Sequence, residues 1–218
     1  MNTLAEENYL KSIYHLAPHA ETEMVSTNQL AALLNTKASS VTDMLKKLAD
    51  KELINYTPYQ GVSLTPAGEK IAINIIRKHR LWEFFLVEKL NFKWDEVHEM
   101  AEEMEHISSN ELIDRLDKFM DYPKYDPHGD PIPDCNGKFK VHDLLPVSAA
   151  EADTAGVICG VRDHSAPFLQ YLEKQGLTIG KKIIIVDIIE FDRSMVLKME
   201  TQTVQISRDV ANNLLITL

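Results

Sequence analysis

Only 2 of the 218 residues are cysteine. Cys135 and Cys159 form no CxxC pair, which excludes a disulfide framework and a thiolate-based zinc site and fits a reducing compartment. No stretch approaches the roughly 20 uninterrupted apolar residues of a membrane helix. The opening MNTLAEENYL is acidic and polar, unlike a secretory leader, so a soluble, cytoplasmic chain with no membrane partner is expected. Positive charge is short as well, with 23 Lys/Arg against 33 Asp/Glu and a formal net charge of −10. That sum argues against a nucleic-acid partner, but its distribution does not. Residues 1–80 hold 9 Lys/Arg against 8 Asp/Glu, residues 81–135 hold 5 against 15, and residues 136–218 hold 9 against 10. The acid excess is therefore one block, and concentrated carboxylates need cations or solvent to offset their mutual repulsion.

What is present is enough apolar residue, 44%, to build the two or three compact units that this length suggests. Leu4, Tyr9, Leu10, Ile13, Tyr14 and Leu16 recur at helical spacing and predict a helix over 4–17. Ser26 and Thr27 offer N-caps for a short helix carrying Leu30, Ala31, Leu33 and Leu34. After a turn at Asn35-Thr36-Lys37, ASSVTDMLKKLADKEL puts Val41, Leu45 and Leu48 on one inner stripe and leaves a small, polar, partly basic outer face. Two β-prone runs, Leu53 to Tyr56 and Val62 to Leu64, flank Pro58-Tyr59-Gln60-Gly61 and predict a hairpin. Helix, short helix, turn, helix, hairpin is the order of a winged helix-turn-helix.

Pro66 suits the first position of a long helix reaching about Leu90. Helices over 94–106 and 109–120 follow, the latter with an apolar face of Leu112, Ile113, Leu116 and Phe119 that suits either a dimer surface or a core. The proline-rich YPKYDPHGDPIPDCNG is an irregular connection. Beyond it, β-type runs at 156–161, 182–189, 195–199 and 203–206, a helix over 166–175 and a closing helix and strand suggest a small, partly open β-barrel. The expected fold class is mainly α with small β parts. Its expected domains are a winged helix-turn-helix (1–73), a helical domain (74–135), a linker (136–145) and the small β-barrel (146–218).

The middle helices carry the chemical signal. His79 and Glu83 are four residues apart and share a helix face, as do His98 and Glu102. Within the helix over 94–106, one face carries His98, Glu102, Glu105 and His106. Converging carboxylates must take up protons or gather round a cation. Mixed N/O donors without thiolate suit Mn(II), Fe(II), Co(II) or Zn(II), and a carboxylate-rich set leans to the harder ions. A solvated acidic helix face is the bland alternative for ExxEH alone; the second helix with HxxxE favours metal. Asp126-Pro127-His128 is a further candidate, equally readable as a polar turn, and Asp163 with His164 is weaker.

Along nearly its whole length the chain resembles the DtxR/MntR family of iron- and manganese-dependent repressors, through ENYLKSIYHL, ASSVTDMLKKLADKELI, GVSLTPAG, RKHRLWEFFL, WDEVHEMAEEMEH and PHGDPIP. The resemblance implies that 1–73 form a DNA-binding domain, 74–135 a metal-binding and dimerisation domain and 146–218 an SH3-like, FeoA-like domain, with one metal site at His79, Glu102, Glu105 and His106. It implies a second site at Glu83, completed by His98 in one branch or by Asp126, His128 and an acid matched by Asp163 in another. Glu102 stands where iron-type members carry Cys, which favours Mn(II) over Fe(II). Asn8 replaces a first-helix Asp or Met ligand, and Lys11 replaces a carboxylate of some manganese-type members.

Thr36, Lys37, Ser39, Ser40, Thr42 and Asp43 then form the expected DNA-reading face. Lys46 and Lys47 lie nearer phosphate, and Tyr59 and Gln60 form the wing tip. The expected function is a metal-dependent transcriptional repressor that binds a near-palindromic operator as a homodimer and controls metal-homeostasis genes. A winged-helix regulator sensing an organic ligand is the main rival. A non-haem metalloenzyme ranks lower, since no nucleophile or phosphate loop accompanies the cluster.

Overall fold

The computed structural model describes residues 2–17, 24–140 and 143–218. The chain divides into two compact units. One comprises Met1–His79, Glu103–Glu111 and Pro133–Lys138, the other Arg80–Glu102, Leu112–Ile132 and Phe139–Leu218.

In the first unit, α1 (Leu4–Leu16) opens with a reciprocal capping box: Thr3 accepts from the Glu6 amide while the Glu6 carboxylate accepts from the Thr3 amide. Ser26 and Gln29 form the same device at α2 (Thr27–Leu33). Asn35, at φ 46°, reverses the chain before α3 (Ala38–Asp50). The expected stripe of Val41, Leu45 and Leu48 is fully buried against Leu10, Ile13 and Leu30. Leu33 does not join it: at 53% exposed it sits on the outer side of a helix too short to bury two faces. Strands β1 (Ile54–Thr57) and β2 (Gly61–Leu64) pair antiparallel as the wing, and Val25 adds a third rung by exchanging both hydrogen bonds with Val62. That close approach is why Gly61 is glycine: a Cβ there would lie 2.7 Å from the Val25 carbonyl oxygen, and its φ is +133°.

Helix α4 (Pro66–Leu90) supplies residues to both units. The helix expected over 94–106 is shorter, α5 (Val97–Met104). At its start the Lys93 amide is drawn into a turn by the Glu96 carboxylate. At its end the Ile107 amide bonds back to the Met104 carbonyl, so Glu105 and His106 leave the helix rather than extending one face with His98 and Glu102. Helix α6 (Asn110–Phe119) buries Ile113 and Leu116 but exposes Leu112 and Phe119.

The second unit holds a six-stranded antiparallel sheet in the order β3-β8-β4-β5-β6-β7. Its strands are β3 (Leu145–Pro146), β4 (Ala155–Val161), β5 (Lys182–Ile188), β6 (Met195–Lys198), β7 (Thr203–Ile206) and β8 (Leu214–Thr217). Irregularities at Ile158/Gly160 and Ile185/Asp187 interrupt the register; such bulges increase local twist and curl a short sheet toward a barrel. Helix α7 (Ala166–Gln175) and the short α8 (Arg208–Asn213) accompany the sheet, with Ile158, Leu172, Ile185, Leu197 and Leu214 in its core and Trp94 packed against that core. The molecule thus has a helical winged N-terminal domain, a helical middle and an SH3-like C-terminal domain. No helix among the described residues is long and apolar enough to cross a membrane.

Candidate metal centre

Two clusters of imidazole and carboxylate groups are built, one within each unit. In the first, Glu105 is fully buried and receives hydrogen bonds from the Lys11 ammonium at 2.6 and 2.8 Å. His79 Nδ1 lies 2.6 Å from Oε2, the oxygen that Lys11 reaches at 2.8 Å. Burial works to raise the Glu105 pKa, but the His79 hydrogen bond and the Lys11 and His79 charges outweigh it and hold the carboxyl below its ordinary range. His106 stands between two acids, with Nδ1 2.7 Å from Glu7 and Nε2 3.6 Å from Glu105. Lys78, buried, donates to the Ile107 carbonyl at 2.8 Å and thereby fixes the turn that carries Glu105 and His106. The Asn8 Oδ1 atom is buried with no hydrogen-bond partner.

In the second cluster, Glu83 is the hub: Oε1 is 3.3 Å from His98 Nδ1 and Oε2 is 3.5 Å from His128 Nδ1. Glu83, Asp126 and His128 are all buried, with donor atoms within 4.8 Å of one another. His128 is held by its other nitrogen, which donates to the Trp94 carbonyl at 2.8 Å, and its ring lies between those of Trp94 and His164, with centroids 6.1 and 4.8 Å away. Asp126 Oδ1 accepts from the amides of His128 and Asp130, closing the DPHGD loop on itself. Arg80 clamps the same loop through Asp130 and the Pro131 carbonyl. Burial, then the charges of Asp130 and Glu83, raise the Asp126 pKa. Burial works against charge on His128, but Glu83 and Asp126 more than offset it and lift that pKa to about 9. A positive charge is therefore called for at this point.

The donor chemistry fits a divalent ion. His128 Nδ1 is buried and lacks a hydrogen-bond partner while facing a carboxylate, and a buried polar atom is rarely left so. Of the remaining expected ligands, Glu102 is exposed and 3.7 Å from His98 Nε2, and Asp163 caps the turn before α7 by accepting from the Ser165 amide.

Family models match in three consecutive pieces: an iron dependent repressor N-terminal DNA binding domain over 1–62, an iron dependent repressor metal binding and dimerisation domain over 65–134, and a FeoA domain over 145–218. A solved manganese-dependent transcriptional repressor in complex with manganese superposes with a TM-score of 0.85 at 30% identity, covering 97% of this chain and 98% of that one. The chain belongs to the DtxR/MntR family of metal-dependent transcriptional repressors. The iron-dependent repressor IdeR of Mycobacterium tuberculosis is 33% identical over 135 residues, 61% of this chain and 58% of that protein. An HTH-type transcriptional regulator of Methanocaldococcus jannaschii is 41% identical over 115 residues, 53% of this chain and 91% of that protein.

On the winged domain, Thr36, Lys37, Ser39, Ser40, Asp43, Lys46, Lys47, Tyr59 and Gln60 are exposed. Thr42 is half-buried, its hydroxyl donating to the Ala38 carbonyl. Asp43 and Lys46 approach to 3.9 Å. Sequence reasoning passed over Glu7, Lys78, Arg80 and Trp94. The i,i+4 spacing of Glu7 and Lys11 is a usable signal for a charged face on α1; the Trp94 backbone carbonyl that holds the His128 ring leaves none.

Proposed function

We propose that this chain is a Mn(II)-responsive repressor, with Fe(II) the alternative ion, that binds a near-palindromic operator as a homodimer and controls metal-homeostasis genes. The observation that carries the reading is the buried Glu83–Asp126–His128 cluster, in which His128 Nδ1 faces Glu83 Oε2 at 3.5 Å without a hydrogen bond. Glu83, Asp126 and His128 would hold one ion, with His98 on the opposite oxygen of Glu83 and Asp163 as a further candidate. His79, Glu105 and His106 would hold another, with Asn8 Oδ1 as a first-helix donor. All-N/O ligation by carboxylate and imidazole favours the harder manganese ion. A bound ion supplies positive charge that neutralises these carboxylates and stabilises one arrangement of the ligands.

The exposed face of α3 and the wing tip would meet DNA, with Lys37, Lys46 and Lys47 contributing the salt-dependent part. A module of this size buries limited surface, so two copies on a two-fold site are expected. Leu112, Phe119, Leu90 and Tyr122, all exposed, suit the interface between them. The domain limits of this reading are 1–73, 74–135 and 146–218, joined by 136–145.

The test is selection of duplex DNA from a random pool by the Mn(II)-loaded protein, followed by binding titrations with Mn(II) and with chelator. Binding that requires Mn(II) and is lost on chelation supports the proposal. Affinity indifferent to both would overturn it in favour of a regulator of another kind.

A further inference from the structure

We infer that Glu7 is the positioning residue for His106. Its carboxylate selects which imidazole nitrogen is offered to the ion and ties that ligand to helix α1. The inference rests on the reading of His106 as a metal ligand and deepens it.

His106 Nδ1 lies 2.7 Å from Glu7 Oε2, a pair 99 residues apart in sequence. An ionised carboxylate only accepts hydrogen bonds, so the nitrogen facing it must carry the proton. In the neutral ring Nε2 then keeps its lone pair, and it is Nε2 that lies toward Glu105. The ring has little freedom to turn, since the His106 side chain is 9% exposed and that of Glu7 21%. Carboxylate partners of this sort fix the tautomer of a ligating histidine and raise its basicity, and their loss weakens metal binding about 10–100-fold. What makes this partner unusual is its place. Tyr9, Leu10 and Ile13 of α1 lie in the same apolar core as Val41, Leu45 and Leu48 of the DNA-reading helix, so a force on the His106 ring acts on that core through one hydrogen bond.

The experiment uses the full chain and its Glu7→Ala, Glu7→Gln and His106→Ala variants, with the Glu7→Ala/His106→Ala double variant. Free Mn(II) is measured by electron paramagnetic resonance, and the His106 tautomer is read in the metal-free protein from its ring ¹⁵N shifts. The wild type and Glu7→Gln, whose amide oxygen still accepts, are expected to show the Nδ1–H form. Glu7→Ala is expected to shift toward the Nε2–H form and to lose about 10–100-fold in Mn(II) affinity. That loss should vanish in the His106→Ala background. An undisturbed tautomer in Glu7→Ala, or an affinity loss that persists without His106, overturns the inference. Should Glu7→Ala fail to fold, Glu7→Gln decides: an Nδ1–H tautomer with affinity within a few-fold of wild type supports it, and loss of that tautomer with unchanged affinity overturns it. A His106→Ala protein that binds Mn(II) as wild type does would instead remove the ligand reading itself.

Discussion

Glu83 and His128 show what a single buried pair can report. The imidazole holds its proton up to a pKa of about 9, because with no ion present the proton is the cation that Glu83 and Asp126 gather. An ion binding through Nδ1 must displace that proton, so affinity should rise with pH throughout the range below about 9, by up to about tenfold per unit for one proton released. Mn(II) titrations at pH 6.5 and 7.5 should show this slope in the wild type and a shallower one in His128→Ala. Equal slopes would mean that His128 does not exchange its proton for metal. Single residues were also where the sequence was most and least informative. Glu83 and His128 stood out by residue type and motif, whereas Trp94 acts through its carbonyl oxygen, a group that every residue possesses.

Elements were legible where local rules dominate. Thr3 with Glu6 and Ser26 with Gln29 mark two helix starts by chemistry confined to four residues, and the stripe of α3 follows from periodicity alone. The end of α5 was not legible. The spacing of Glu102, Glu105 and His106 continues a helical pattern, and it is Lys11, 94 residues away, together with Lys78 on the Ile107 carbonyl, that engages the turn. A similar long-range clamp joins α1 to the end of α3, where Lys51 donates to Glu6 at 2.8 Å. That bond above all holds the Glu6 pKa below its ordinary 4.5. A depressed carboxylate stabilises the fold above its unfolded-state pKa, and the contribution disappears as pH falls through the folded value. Lys51→Ala should therefore lower stability at pH 7 and lessen the further loss between about pH 5 and the acid transition, as followed by urea denaturation at stepped pH. An unchanged acid profile would show that the pair is solvated and idle. Gly129 gives a second prediction at this scale. At φ +90°, its missing Cβ would fall 2.0 Å from the Cys159 carbonyl oxygen, so Gly129→Ala should cost about 2 kcal/mol in chemical denaturation and weaken Mn(II) binding. A variant neutral in both would mean that the DPHGD loop can lift off β4 freely.

For the whole molecule the governing relation is linkage. If Mn(II) raises DNA affinity by some factor, DNA must raise Mn(II) affinity by the same factor. Measuring both arms with the selected duplex checks this, and unequal factors would point to a change of oligomeric state between the two experiments. The fold class was readable because each third of the chain carries its own pattern: 3.6-residue stripes and a hairpin, then long polar-acidic helices, then alternating strands. The acid block coincides with most of the candidate ligands, since 15 of the 33 Asp/Glu lie within residues 81–135.

The contact between the DPHGD loop and β4 bears on how freely such proteins exchange parts. The Val161 amide donates to the His128 carbonyl at 3.0 Å, and Gly129 lies against Cys159 and Gly160 with no room for a side chain. The C-terminal sheet thus acts as a mould against which the DPHGD loop is cast. A chimera carrying a relative's C-terminal module would inherit the loop's sequence but not its shape, unless the grafted strand presented the same small residues and the same free amide at its edge. The module is therefore no interchangeable cassette, and loop and strand are expected to transfer only as a matched pair.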